Sequence, residues 1–253
     1  MLTIHKHILA GALLGISTSV NVQAQGSNLG ISLILDGRYA SYSNDTDYAL
    51  PGFMLGGEAG RSEEGFHLGH NELIISGNID DMFYGKMTTV ITDHESETEV
   101  ELEEMFIETQ GLGNGFTIKA GRFFSDIGYL NNHHGHTWDF ADAPLVYSAL
   151  FGNQLKDDGL QVSWLAPTDL YFKVGVEALR GGLYPAGGAE NDGNGANSVY
   201  LKLGGDVGNS NSWQVGLSHW QAEVSDKEAG GHDHGGADEI PTFNGDSEIT
   251  GID

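Results

Sequence analysis

Apolar and polar residues alternate with a period of two along most of this chain, and that spacing constrains its fold more than any other feature. A period of two sends successive side chains to opposite faces of an extended backbone. Nine segments carry it: Leu29 to Tyr42, Phe66 to Ile79, Met82 to Ile91, Val100 to Gln110, Phe116 to Phe124, Leu160 to Leu165, Leu170 to Leu179, Ser198 to Leu203 and Ser212 to Ala222. In Leu170 to Leu179, for example, Phe172, Val174, Val176 and Ala178 oppose Tyr171, Lys173 and Glu177. The fourth segment breaks parity, because Val100, Leu102 and Phe106 share a face with Glu104 and Glu108; one extra residue near Glu103-Glu104, a β-bulge, restores it.

The connections narrow the choice further. Asn78-Ile79-Asp80-Asp81, Gly111 to Gly115, Pro167-Thr168-Asp169 and Gly205 to Asn211 are short. Ser43 to Gly65, Thr92 to Glu99, Asp126 to Gly159, Gly181 to Asn197 and the stretch from Glu223 are longer. Short and long connections therefore alternate. A soluble β-sandwich has no reason to alternate in this way, whereas a transmembrane barrel does, with short periplasmic turns and longer external loops. Aromatic residues near strand ends, such as Tyr39, Phe83, Phe123, Trp164 and Trp213, suit interfacial girdles. The expected fold is all-β: an antiparallel transmembrane β-barrel of outer-membrane type. Nine strands is odd where such barrels close with an even number, and the chain ends in polar Gly251-Ile252-Asp253. The expectation is an incomplete barrel, the N-terminal part of a longer protein, because an open edge in lipid leaves backbone groups unpaired.

The N-terminus reads as a cleaved export signal. Lys6 is the only charged residue in the first 35; Ile8 to Ile16 is apolar, and Val22-Gln23-Ala24 is a small-x-small ending. This predicts a signal peptide over 1–24, a barrel domain over 25–253 and a place in the outer membrane of a Gram-negative cell. No later segment approaches the roughly 20 apolar residues of a membrane-spanning helix. The absence of Cys excludes disulfides and thiolate metal sites. With 36 acidic residues against 11 Lys and Arg, the formal charge is −25, which argues against nucleic-acid partners and permits attraction of cations. Expected partners are outer-membrane lipids, the barrel-assembly machinery during biogenesis, and metal cations or small solutes.

Three clusters are candidates for chemistry. Asn131 to Asp142 holds His133, His134 and His136, with Asp139 just after; these nitrogen and oxygen donors suit zinc, although the spacing matches no closed tetrahedral motif. A second tract carries His232, Asp233 and His234 in a Gly-rich acidic setting that suits weak, exchangeable metal capture. The third is Asp93-His94-Glu95 followed by Glu97, Glu99, Glu101 and Glu103, which an extended backbone stacks on one face, where a charged row can line a lumen or a solvated strand end. Phosphate-binding glycine loops, HExxH helices and GxSxG elbows are absent, so no enzyme is expected.

Several stretches also resemble one outer-membrane family. They include Glu103-Glu104-Met105-Phe106-Ile107-Glu108-Thr109, Ile118-Lys119-Ala120-Gly121-Arg122-Phe123-Phe124, Gly128-Tyr129-Leu130-Asn131 and His134-Gly135-His136-Thr137-Trp138-Asp139-Phe140. Asp142-Ala143-Pro144-Leu145-Val146 and Asp158 to Leu165 continue the likeness, which runs from about Phe66 to Pro185. The chain resembles the zinc-regulated outer-membrane proteins, porin-like in appearance and also labelled TonB-dependent receptors. The resemblance implies an outer-membrane barrel connected with zinc supply, and zinc as a weakly bound ion. It implies no catalytic residues. The strand pattern begins soon after Ala24 and leaves no room for the plug domain of a TonB-dependent receptor, so a porin-like channel is the expectation. The alternative is a non-channel surface barrel that displays metal-binding or adhesive loops.

Overall fold

The structure, a computed structural model, describes residues 22–23, 29–43, 53, 55–60, 62, 64–94, 97–187, 195–228 and 242–253. Eleven strands form one antiparallel sheet in which each pairs with its successor. They are β1 (Val22–Gln23), β2 (Leu29–Ile34), β5 (Asn71–Asn78), β6 (Phe83–His94), β7 (Glu97–Thr109), β8 (Phe116–Phe124), β9 (Lys156–Leu165), β10 (Tyr171–Leu179), β11 (Ala196–Val207), β12 (Asn211–Glu228) and β13 (Thr242–Ile252). A small hairpin of β3 (Gly37–Ala40) and β4 (Gly65–Leu68) extends the β2 and β5 pair. Among the described residues the sheet is open, with β1 and β13 at its two edges.

The all-β antiparallel architecture agrees with the sequence reading, but the strand count does not. Thirteen strands stand among the described residues in place of the nine expected. The segments at 29–42 and 66–79 each break in two, because a polar corner interrupts them. Asp36 carbonyl accepts from Gly69 N (2.9 Å), Asp36 Oδ2 from His70 N (3.0 Å), and Asn71 Oδ1 from Asp36 N (2.9 Å). A Cβ at residue 69 would lie 2.1 Å from Asp36 Oδ2, so a larger residue there would have to displace the Asp36 carboxylate that accepts from His70 N. The expected loop at 92–99 is mostly strand, and β6 and β7 run on as a long hairpin. The terminal stretch expected to be loop-like is β13, which pairs with β12 from Leu217↔Ile252 to Glu228↔Thr242. Its polar sequence hides a strand whose register comes from its neighbour. Of the predicted signal peptide, only Val22 and Gln23 are among the described residues.

The two faces of the sheet differ in an unusual way. Val162, Val176 and Val199 align across β9, β10 and β11, and the next row is Gln161, Glu177 and Ser198. Val176 is 53% exposed and Glu177 2%. Leu29, Ile31, Met105, Ile107, Leu160, Leu201, Val215 and Leu217 are likewise exposed on the open face, while Thr88, Glu104, Ser163, Lys202 and Ser218 are buried on the covered one. A soluble sheet normally does the reverse, packing apolar side chains inward and leaving polar ones to water.

The covering layer is the connection from Ser125 to Leu155, which includes a short helix, α1 (Leu145–Phe151). It lies on the covered face rather than standing clear of the sheet. Phe123, Ile127, Phe151 and Leu155 pack with Leu179, Ala196 and Trp220 in the buried apolar cluster. Asp126 anchors its start, pairing with Lys173 Nζ (2.5 Å) and accepting from Tyr200 OH (3.0 Å). Glu177 accepts from Asp126 N (2.9 Å), Gln161 Nε2 (2.8 Å), Ser198 Oγ (2.5 Å) and Ser125 Oγ. Fully buried Asn131 staples the two ends together. Its amide donates to the carbonyls of Ser125 and Leu155 (both 2.8 Å) and accepts from Leu155 N (2.7 Å).

Candidate metal centre

The fold brings together side chains that are far apart in sequence. The bulge sits where the parity of β7 demanded it. Pairing passes from Thr88↔Glu104 to Thr89↔Leu102, leaving Glu103 as the extra residue. A bulge re-aims side chains, and here two successive carboxylates, Glu103 (1% exposed) and Glu104 (6%), both become buried. Glu72, near the start of β5, is fully buried, and His70 precedes it at the polar corner. The covering connection supplies His134 and His136, the latter in a 3₁₀ turn over Gly135–Thr137. Glu58 comes from a further segment, fixed by Glu58 N donating to the Gly152 carbonyl (3.0 Å) and Asn153 Nδ2 donating to the Glu58 carbonyl (2.8 Å).

His134 lies at the centre. Its Nδ1 is 3.2 Å from Glu72 Oε2 and 3.1 Å from Glu103 Oε2, and its Nε2 is 2.8 Å from Glu104 Oε2. His136 Nδ1 is 2.7 Å from Glu72 Oε1. His70 Nε2 is 3.4 Å from Glu103 Oε1 and 3.7 Å from Glu58 Oε2, and its Nδ1 is 3.7 Å from Glu72 Oε1. Lys86 Nζ donates to Glu104 Oε2 (2.6 Å), and Lys156 Nζ bridges Glu58 (2.7 Å) and Glu101 (2.9 Å). Two triads each offer ligand atoms within 4.8 Å of one another: Glu72, His134 and His136, and Glu58, His70 and Glu103.

These residues are donors of the kind that could hold a divalent cation. Glu72 Oε2, both oxygens of Glu103, His134 Nδ1 and His70 Nδ1 are buried without an aligned hydrogen bond, despite the short separations. Buried polar atoms without aligned partners cost about 1–3 kcal/mol each, so these five are atoms that a ligand could satisfy. Burial opposes a charge on His134, but its contacts with Glu103, Glu104 and Glu72 outweigh burial and raise its pKa to about 11. A charged His134 then lies with its Nε2 only 2.9 Å from Lys86 Nζ, two cations on one carboxylate. Replacing the Nδ1 proton by a metal keeps the Nε2–H bond to Glu104. That is the usual arrangement of a histidine ligand oriented by a carboxylate behind it. Burial likewise opposes a charge on His70, and its acidic neighbours, Glu72 first, outweigh it and raise its pKa.

Of the candidates from sequence, His134 and His136 meet in one triad. His133 stands apart, its ring 5.2 Å from that of Tyr129 and its carbonyl accepting from Trp138 Nε1 (2.8 Å) and Gln154 Nε2 (2.8 Å). Asp139 is exposed and belongs to neither triad, so the structure does not place it or His133 with the other donors. His232, Asp233 and His234 lie outside the described residues. The glutamate row contributes Glu101 and Glu103 to the cluster, while Glu99 is exposed. Glu58, His70, Glu72 and Lys86 are additions; the one sequence signal was Glu72, a lone carboxylate at the head of the apolar run Leu73-Ile74-Ile75.

No protein-family model matches the chain. An uncharacterized protein of Aquifex aeolicus (strain VF5) is 37% identical over 160 residues, an alignment covering 60% of this chain and 33% of that protein. The chain thus spans about a third of the length of the relative it matches.

Proposed function

We propose that this chain forms part of the wall of a porin-like outer-membrane β-barrel, and that its interior binds divalent cations, zinc among them, on their way to or through the barrel. The observation that carries the reading is the reversal of faces. Exposed Val176, Val199, Leu201 and Leu217 fit lipid, and buried Glu72, Glu103, Glu104, Glu177 and Lys202 fit an interior lined with polar groups. In that setting the His and Glu cluster lies on the interior side, where carboxylates concentrate cations.

Zinc titration of the full chain in detergent, by calorimetry, tests the cation part. Binding that is reduced in both Glu72→Gln and His134→Ala supports it; a parent chain that takes up no zinc refutes it. The second reading, a barrel whose interior is filled rather than conducting, draws on the connection packed over the covered face. Planar-bilayer conductance separates the two, with discrete cation-selective steps expected for a channel and a silent bilayer for a filled barrel.

A further inference from the structure

The two donor triads are not independent. Glu103 Oε1 faces His70 Nε2 (3.4 Å) in one, and Glu103 Oε2 faces His134 Nδ1 (3.1 Å) in the other. Its two oxygens are thus divided between two sets of ligands, and neither has an aligned hydrogen bond. A carboxylate that served one ion would present both oxygens, or its better one, to the same set of donors. The extra residue of the bulge is what allows this placement, since Glu104 retains the ladder position opposite Thr88 and bonds Lys86 and His134. Besides Glu103, the first set has Glu72 with His134 and His136, and the second has Glu58 with His70; Glu72 Oε1 also lies 3.7 Å from His70 Nδ1, at the border between them.

From this we infer that the cluster takes two divalent cations, one held by Glu72, His134 and His136 and the other by Glu58 and His70, with Glu103 bridging them. The inference rests on the cation-binding reading above and adds the number of ions and the bridge. Charge permits it. Five carboxylates, Glu58, Glu72, Glu101, Glu103 and Glu104, face the two lysines Lys86 and Lys156. With neutral histidines the surplus is three negative charges, so two divalent ions leave the site within one charge of neutrality. Mixed imidazole and carboxylate donors suit zinc, cobalt and manganese. The ligands come from separate segments of the chain, so the loaded centre would also fasten the covering connection to β5, β7 and the polar corner.

Cobalt(II) is the probe. The full chain in detergent, stripped with chelator, is loaded with cobalt(II); metal per chain is read by mass spectrometry and the spin signal by low-temperature paramagnetic resonance. Two ions per chain are expected, with the second attenuating the signal of the first through the bridge. Glu103→Gln should remove that coupling. Glu58→Gln, at a partly exposed position, should reduce uptake from two ions to one and leave the first site intact. One ion per parent chain, or two with additive signals, would overturn the two-ion bridge while leaving cation binding in place. No ion at all would overturn the cation-binding reading itself.

Discussion

Asn131→Ala should release the covering connection without dismantling the sheet beneath it. The substitution removes an amide that donates to Ser125 and Leu155 carbonyls and accepts from Leu155 N, all at 2.7–2.8 Å. It leaves the Ser125 carbonyl and the Leu155 N–H buried and unpaired, each costing about 1–3 kcal/mol, while the Leu155 carbonyl keeps its bond from Ser125 N (3.0 Å). Either group can find water in the space left by the side chain, so the expected loss is about 3 kcal/mol, in the lower half of the range for two such groups. That energy falls on local opening of residues 125–155, because Asn131 bonds nothing on β9 to β11 other than through Leu155. At about 1.4 kcal/mol per decade, amide exchange in the connection should speed up by roughly a hundredfold or more. Exchange in the ladder of β10 and β11 should stay within a few-fold of the parent. Hydrogen-exchange mass spectrometry on the chain in detergent reads both. Unchanged protection over 125–155 would refute the stapling role, and equal loss in every strand would show that connection and sheet are one cooperative unit.

Three further outcomes are expected. Gly121 has φ +130, and a Cβ there would lie 2.1 Å from the Met105 carbonyl oxygen, so Gly121→Ala should lower stability by about 1–3 kcal/mol from backbone strain alone; a reduced folded fraction in heat-modifiable gel migration checks it. The contacts that hold His134 charged stabilise the docked connection fully below about pH 6.5, and that contribution is lost as pH rises through about 11; in metal-free protein the imidazole carbon shifts should still report a charged ring at pH 8, and a neutral ring would contradict the cluster. Val176→Lys should cost about 2–4 kcal/mol in vesicles if Val176 lies near the bilayer midplane, but within about 0.5 kcal/mol if the open face meets water; denaturant titration distinguishes them.

The local elements were readable from sequence because their cause is local. Alternation marked β8 and β10, and Asp80 closes the turn before β6 by accepting from Met82 N (2.7 Å) and Phe83 N (2.9 Å). The parity break in β7 located the bulge at Glu103-Glu104 before any partner was known. What escaped the sequence was long-range. β13 is polar, and its strand character comes from β12 rather than from its own pattern. The polar corner depends on Asp36 meeting Gly69, His70 and Asn71 across the intervening hairpin. His134 and His136 stood out as adjacent imidazoles, but their partner Glu72 lies more than sixty residues away, and nothing near Asp139 warned that it would stay exposed. The inward course of the connection rests on Asp126, Glu177 and Lys173, three charges that read from sequence as ordinary loop and strand residues.

The chain contains no cysteine, so single cysteines introduced into it carry a spin label without background. Labels at positions 176, 199, 201 and 217 on the open face, and at 177, 198 and 202 on the covered face, test the central claim most directly when the protein is reconstituted in lipid vesicles. The reversal of faces predicts that labels on the open face relax with oxygen dissolved in the lipid and are shielded from a water-soluble nickel chelate. Labels on the covered face should show no such preference for oxygen. Open-face labels that respond to the nickel chelate as freely as a label in solution would contradict the membrane barrel.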